Sequence, residues 1–294
     1  MSITSDRIRV ALAVLLALCI GYAGARLFGF PADVGFNASI LRQPSPIVAI
    51  LGAAVTFGVA SLAALPIVRR VHAEAAIAVG AVALARFSWR GGTISPTLIE
   101  AGEKGVYLAL ALEVVVLFGI ALALWFALRR FIPTSPTIQV DPKTEQELLE
   151  TRAESLAPEP LDQKLLASAT QIVVMIACMV ILCRSKDKVQ VFASVFFSSM
   201  LASWAAHRFI SVRPGVWYWM GPMAVALLGY VSGFFAPTGL LVGDPGHYFA
   251  ALARPLPLDY LAAGIAGSAW GYAMREAHRE KAVLLVKQQA VATS

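Results

Sequence analysis

Two acidic residues stand inside segments that are otherwise apolar, and they are the side chains whose setting most favours chemistry. Glu113 lies nine residues after Lys104, at the start of the run EVVVLFGIALALW. The helical rise puts it roughly 10–14 Å from the start of its helix. A charge near the bilayer centre costs a few kcal/mol, so such acids generally face a partner or a watery cavity. The position predicts a proton- or cation-linked site; a span shifted outward would instead leave Glu113 at the headgroup level.

Asp259 is the approximate counterpart of Glu113 in the second half of the chain. Glu113 precedes a Gly-Ile-Ala triplet by six residues, and Asp259 precedes its own by five. A pair of related acids would make an ion site, although the one-residue difference turns the side chain by about 100° around a helix. Asp259 also follows Pro257 closely, so a second interpretation places it in the first turn of a helix, where a carboxylate meets the helix dipole.

No other group of residues predicts catalysis or metal binding. The chain has no Walker A loop, no H-E-x-x-H and no G-x-S-x-G elbow, so we expect no enzymatic activity and no cofactor. The cysteines all lie in apolar runs, where free thiols act as small apolar side chains. The histidines share no i, i+4 spacing, so no metal site is predicted. The cysteines are Cys19, Cys178 and Cys183, and the histidines are His72, His207, His247 and His278.

A loop sequence that occurs twice indicates an internal duplication. The segments PTLIEAGEKGVYLA (96–109) and PTGLLVGDPGHYFA (237–250) are identical at six of fourteen positions without a gap. Their glycines allow sharp turns, and their tyrosines either anchor at the membrane interface or line an entry. The candidate site residues of the two loops are Pro96, Gly102, Glu103, Gly105, Tyr107, Pro237, Gly243, Asp244, Gly246 and Tyr248.

The composition predicts an all-α membrane protein. The chain of 294 residues is 58% hydrophobic and 14% charged, whereas soluble proteins carry roughly 25% charged residues. Apolar runs of about 18 residues or more are typical of spanning helices. We predict a polytopic transmembrane helix bundle with eight spans, of which the third and eighth are short and begin with an acid. The spans cover 8–28, 47–68, 71–89, 105–128, 165–183, 189–206, 216–235 and 258–274.

The duplication and the spans together predict two parallel repeats of four helices each. An even number of spans gives both copies one orientation, with the pseudo-symmetry axis along the membrane normal. We expect a first repeat at 1–130, a polar cytoplasmic connector at 131–164, a second repeat at 165–275 and a cytoplasmic tail at 276–294. Prolines at 255 and 257 break the helix after the second loop, which predicts a short separate helix at 246–253.

The lysines and arginines predict the orientation. With the N-terminus inside, fifteen of them lie on the inner side and nine on the outer side, which favours cytoplasmic N- and C-termini. The contrary signal is the cluster Arg184, Lys186 and Lys188 in one short outer loop. The first span also resembles a secretory signal, but we expect it to stay uncleaved because further spans follow. Short loops and abundant alanine favour a bacterial inner membrane.

The leading functional hypothesis is a small-solute or ion transporter or permease with a site between the two repeats. The alternative is a non-catalytic accessory or assembly subunit of a membrane complex, and a lipid-directed membrane enzyme is a third. The expected partner is the lipid bilayer, while membrane-protein partners and a homo-oligomer stay open. The net charge of +6 is explained by cations that flank the spans, so no nucleic-acid partner is predicted.

Overall fold

The computed structural model describes residues 3–28, 39–42, 45–68, 73–89, 105–131, 160–185, 187–210, 212, 215–235 and 250–293. Within these ranges the chain forms nine α-helices, one 3-10 helix and no strand. The helices are α1 (Ile3–Leu27), the 3-10 helix (Ile40–Arg42), α2 (Pro46–Val68), α3 (Ala73–Ser88), α4 (Gly105–Phe131), α5 (Leu161–Leu182), α6 (Lys188–Phe209), α7 (Trp217–Phe235), α8 (Ala250–Ala253) and α9 (Pro257–Thr293).

Six of the helices are long and apolar enough to cross a membrane, which confirms a helical membrane bundle. The predicted number of eight spans is not supported, because α3 and α9 do not meet the same requirement. In α3 the apolar stretch Ala75–Arg86 is too short. The six qualifying stretches are Ile8–Leu27, Pro46–Leu65, Gly105–Arg130, Leu161–Leu182, Lys188–Phe209 and Trp217–Phe235.

Helix α9 misses the apolarity requirement because it is the central helix of the bundle. It packs against α3, α4, α6 and α7, and nearly every side chain from Leu256 to Ser268 is buried. A helix that is enclosed by protein needs no lipid-facing surface, so small residues replace large apolar ones along it. Gly267 and Gly271 lie directly against the α6 backbone, near Phe196 and Met200, where a Cβ atom would overlap. These small residues of α9 therefore serve packing within the bundle.

The helices pack unequally in the two halves of the chain. The first three form a triangle in which α1, α2 and α3 contact one another extensively. In the second half the largest contact joins α6 to α9, whereas α6 hardly touches α7. Under the predicted duplication α2 would correspond to α6, yet α2 packs on α1 and α3 and only slightly on α4. The packing within each half therefore does not support the two-repeat architecture.

The helix ends agree with the predicted spans to within a few residues, with two differences. Helix α5 begins at Leu161, inside the predicted connector, because Pro160 directly precedes its first turn. Helix α9 continues to Thr293, through the predicted tail. The short helix after the second loop is confirmed as α8, which is followed by a break before α9. Residues 132–159 of the connector lie outside the described ranges, and the division into domains stays a prediction.

Candidate functional site

One end of the bundle collects the buried polar side chains that sequence analysis associates with chemistry. Helix α3 ends there at Ser88, α6 begins there with Lys188, and α9 begins there with Asp259 in its first turn. Glu113 lies two turns into α4 and contacts Ser39 just before the 3-10 helix. We call this region, defined by Ser39, Ser88, Glu113, Lys188 and Asp259, the acid end.

Glu113 points into the bundle and is only 2% exposed. Its Oε2 atom accepts hydrogen bonds from Ser39 Oγ at 2.7 Å and from the backbone N–H of Ile40 at 2.8 Å. The backbone of Leu41 supplies a further hydrogen bond to the carboxylate. All of these donors are neutral. The carboxylate is enclosed by protein, and its depth in the membrane stays a prediction.

Asp259 is 1% exposed and is held by a cation as well as by neutral donors. Lys188 Nζ lies 2.7 Å from Oδ1 and 2.9 Å from Oδ2, and Ser88 donates its hydroxyl to Oδ1. The backbone N–H of Leu256 donates to Oδ2 at 3.0 Å. Asp259 thus reaches back from the third residue of α9 to the residue that caps the helix, as in one half of a capping box. The interpretation of Asp259 as a first-turn carboxylate is confirmed.

The two acids lie close enough to interact electrostatically. Tyr230 is fully buried within electrostatic range of both. Its hydroxyl donates to the carbonyl of Pro255 at 2.5 Å, and the hydroxyl of Tyr260 donates to the carbonyl of Leu252 at 2.6 Å. These bonds hold the irregular segment between α8 and α9 in place, and with it the position of Asp259. The ion site predicted from the duplicated triplets stays a prediction.

Lys188 is the most important residue of the acid end that sequence reasoning missed. In the sequence it belongs to a cationic cluster that counts toward membrane orientation. In the structure its side chain is 12% exposed and forms an ion pair with Asp259. The one sequence signal that pointed to Lys188 was its position as the first residue of an apolar helix. Its partner lies 71 residues away along the chain, so spacing could not identify it. Ser39, Ser88 and Tyr230 carried no signal beyond their polarity.

The structure describes two of the ten predicted loop residues. Gly105 begins α4 in an open position. Tyr107 is 1% exposed, and its hydroxyl has no hydrogen-bond partner among the described residues. Its ring contacts protein, and its role as an interface anchor or an entry-lining residue stays a prediction. The other eight lie outside the described ranges: Pro96, Gly102, Glu103, Pro237, Gly243, Asp244, Gly246 and Tyr248.

Within the part of the chain that the structure describes, no group of three or more histidine, cysteine or acidic residues could hold a metal ion. The acid end instead offers two carboxylates, one ammonium group and several hydroxyls in a water-poor setting. Such groups can bind and release protons or a small cation. No protein-family model matches this chain, and no curated protein and no solved structure shows significant similarity to it.

Proposed function

We propose that the protein is a proton- or cation-linked transporter of a small solute or ion, with Glu113 as the coupling carboxylate. The observation that carries this proposal is the setting of Glu113: a carboxylate enclosed in a membrane bundle, held by neutral donors, beside a second carboxylate. Among the side chains that the structure describes, no cation lies within ion-pair distance of Glu113. Neutral donors stabilise the carboxylate but supply no countercharge, so binding a proton or a cation neutralises it.

The contrast with Asp259 supports this assignment. Asp259 already has a countercharge in Lys188, at 2.7 Å. Breaking a buried pair by removing one partner costs about 3–5 kcal/mol, so we assign Asp259 a structural role. Its negative charge also acts on Glu113.

We further propose that the chain crosses the membrane eight times, with both termini in the cytoplasm of a bacterial cell. Helix α3 and the first part of α9 provide the two crossings beyond the six apolar helices. The burial of α9 supports its crossing, since protein shields it from lipid. Two of the nine outer cations are engaged within the bundle: Lys188 binds Asp259, and Arg254 donates to the carbonyl of Cys183. The cations on the outer side therefore argue less strongly against this orientation. In this orientation the acid end faces outward.

A duplicated origin stays part of the proposal. The contacts between the two halves support it, because they are reciprocal. Helix α3 of the first half packs on α9 of the second, and α7 of the second half packs on α4 of the first. In both cases the third predicted span of one half meets the fourth of the other. The solute site is expected between the halves, where these contacts meet.

Reconstituted vesicles provide the test. The purified protein is placed in vesicles that contain a pH-sensitive dye, and proton uptake is driven by a potassium diffusion potential. Uptake is recorded alone and with a panel of amino acids, sugars, carboxylates and monovalent cations. We expect the wild type to take up protons faster than empty vesicles and Glu113→Gln to lose this uptake. Asp162→Asn is the matched control, because it removes an exposed carboxylate from the first turn of α5.

Two results would contradict the proposal. Glu113→Gln vesicles that take up protons as fast as wild type would remove Glu113 from any coupling role. Wild-type vesicles without proton or solute uptake would remove the transport function itself. In the second case, proteins that co-purify stoichiometrically in mild detergent would support the accessory or assembly subunit instead.

A further inference from the structure

From Ser194 to His207, helix α6 carries a buried polar side chain in each turn. Lys188 opens the helix at the acid end, and His207 lies at the opposite end with 6% exposure. Nineteen residues separate them, which at helical rise is about 28 Å. This distance is close to the roughly 30 Å thickness of the hydrocarbon core. The buried polar residues of α6 between them are Ser194, Ser198, Ser199 and Ser203.

The middle of this row is hydrogen-bonded to α9. Ser199 Oγ lies 2.7 Å from the Gly264 carbonyl oxygen and 2.7 Å from Ser268 Oγ. Ser203 donates to the carbonyl of Ser268 at 2.8 Å. Gln171 of α5 donates to Ser268 Oγ at 3.1 Å. Three helices therefore share one connected group of hydroxyls and an amide in the centre of the bundle.

The row ends at an aromatic group around His207. Its Nδ1 atom lies 3.3 Å from the hydroxyl of Tyr218 on α7, and its ring lies 4.6 Å from that of Tyr272 on α9. Gln171 donates a second bond, at 2.7 Å, to the carbonyl of Tyr218. Gln171 thus ties the central group to the α7 backbone at Tyr218, the residue whose hydroxyl lies beside the histidine. Imidazole is the side chain best suited to proton exchange near neutral pH.

At the acid end the row continues through two side chains beside Asp259. The thiol of Cys183, just after α5, interacts with the side chain of Ser194 and lies in electrostatic range of Asp259. Ser194 donates to the carbonyl of Gln190 at 2.6 Å. Ser198 is the next polar residue. It is fully buried, and its hydroxyl has no hydrogen-bond partner among the residues that the structure describes.

Ser198 distinguishes two explanations for the polar side chains of α6: packing between helices and proton transfer. Serines of membrane helices commonly hydrogen-bond to a neighbouring helix, and Ser199 and Ser203 do so here. The described structure gives Ser198 no such bond, and a buried hydroxyl without a partner costs about 1–3 kcal/mol. An intermittent water or a rotating hydroxyl would satisfy it, and both are what proton transfer along the row requires.

We propose that Ser194, Ser198, Ser199, Ser203, Ser268, Tyr218 and His207, with intermittent water between their hydroxyls, form a proton path, the polar seam, which joins the acid end to the His207 end of the bundle. This inference rests on the proposed function. In each step an O–H bond of a hydroxyl or water breaks as the next hydroxyl, water or imidazole nitrogen forms a bond to hydrogen, and the donor regains a proton from the group before it. His207 takes a proton at one ring nitrogen and releases another proton from the second nitrogen.

The vesicle assay tests the seam when it is combined with an infrared titration. The variants are Ser198→Ala and His207→Gln, and the matched control is Ser232→Ala, a hydroxyl of α7 that bonds within its own helix at 2.8 Å. We expect His207→Gln to slow proton uptake by about 10²-fold, the usual contribution of a proton-transferring side chain. Ser198→Ala should slow it less, and Ser232→Ala should keep the wild-type rate. The infrared band of protonated Glu113, identified by its loss in Glu113→Gln, should titrate unchanged in all three.

The outcomes separate the two proposals. Uptake at the wild-type rate in both seam variants, with uptake abolished in Glu113→Gln, would overturn the seam and leave the proposed function intact. Absence of uptake in the wild type would overturn both. Thermal unfolding in detergent identifies any variant that fails to fold, and if His207→Gln does so, Ser198→Ala decides. A loss of uptake together with a shifted Glu113 titration would also count against the seam, because a path changes the rate of proton transfer and not the equilibrium.

Discussion

The Glu113 and Asp259 pockets lie at the same end of the bundle and use the same kinds of neutral donor. Each carboxylate accepts a serine hydroxyl and a backbone N–H. Asp259 also binds Lys188 at 2.7 Å, whereas the described side chains offer Glu113 no cation. Two similar acids in one region of the bundle therefore differ in the countercharge that the described side chains supply. Under the proposed function, that difference gives a structural role to Asp259 and leaves Glu113 able to exchange a proton or a cation.

The comparison also explains why the local backbone differs at the two sites. Asp259 stands in the first turn of α9 and satisfies the N–H of Leu256, which precedes the helix. Glu113 stands in the middle of a helix, where the neighbouring backbone N–H groups are already bonded. Its backbone donors come from the separate 3-10 helix at Ile40 and Leu41. Movement of that short segment would change the donors of Glu113 and leave Asp259 untouched.

Removing the ammonium group of Lys188 should give the largest change in the free energy of unfolding. Lys188→Met leaves the carboxylate of Asp259 buried without a countercharge, so we expect the free energy of unfolding to fall by about 3–5 kcal/mol. The double variant Lys188→Met/Asp259→Asn should recover most of this loss, because no buried charge remains. Reversible unfolding in mixed detergent micelles measures both values. A double variant as unstable as Lys188→Met would show that the ion pair does not hold this site.

Changes at Glu113 should separate hydrogen bonding from charge. Glu113→Leu leaves Ser39 and Ile40 as buried donors without an acceptor, which should cost about 2–6 kcal/mol at roughly 1–3 kcal/mol for each donor. Glu113→Gln keeps an acceptor oxygen and should stay within about 1 kcal/mol of wild type. The same unfolding assay applies to both. Equal losses in the two variants would mean that the charge of Glu113 itself stabilises the fold, and the contrast with Asp259 would then disappear.

Removing either serine donor should lower the free energy of unfolding by a smaller amount, and the loss should be larger for Ser39 than for Ser88. Ser39→Ala removes a donor from a carboxylate that has no described cation, so we expect a loss of about 1.5–3 kcal/mol. Ser88→Ala removes a donor from a carboxylate that keeps its lysine, so about 0.5–1.5 kcal/mol is expected. Ser39→Ala should also shift the infrared band of protonated Glu113. The reverse order of stabilities would argue that Lys188 contributes little to the Asp259 pocket.

The smallest expected change is that of the coupling energy between Lys188 and Asp259 when the salt concentration is raised. The side chains of Lys188 and Asp259 are 12% and 1% exposed, and buried pairs are screened far less than surface pairs. A double-mutant cycle on these two residues should therefore give a coupling energy that changes by less than about 0.5 kcal/mol between roughly 0.05 M and 0.5 M salt. A coupling that falls away at high salt would show that water reaches the pair.

Much of the helix arrangement could be predicted from the sequence, and the errors have identifiable causes. Apolar runs and prolines gave the helix ends to within a few residues, including the break at Pro255 and Pro257. The third and eighth spans were uncertain because α3 is short and α9 is enclosed by protein, and apolarity alone detects only helices that face lipid. Tyrosine in general favours the membrane interface, but tertiary packing buries the ring of Tyr107.

The sequence by itself determined that this chain is a membrane helix bundle, where most of its helices begin and end, and that two acids lie in apolar segments. These properties depend on neighbouring residues only, through hydrophobic periodicity and the geometry of proline. Tertiary structure alone decided which acid has a countercharge. The bond between Ser88 and Asp259 joins residues 171 positions apart, and the bond between Ser39 and Glu113 joins residues 74 apart. Contacts of this kind depend on how whole helices pack, and no local pattern encodes them.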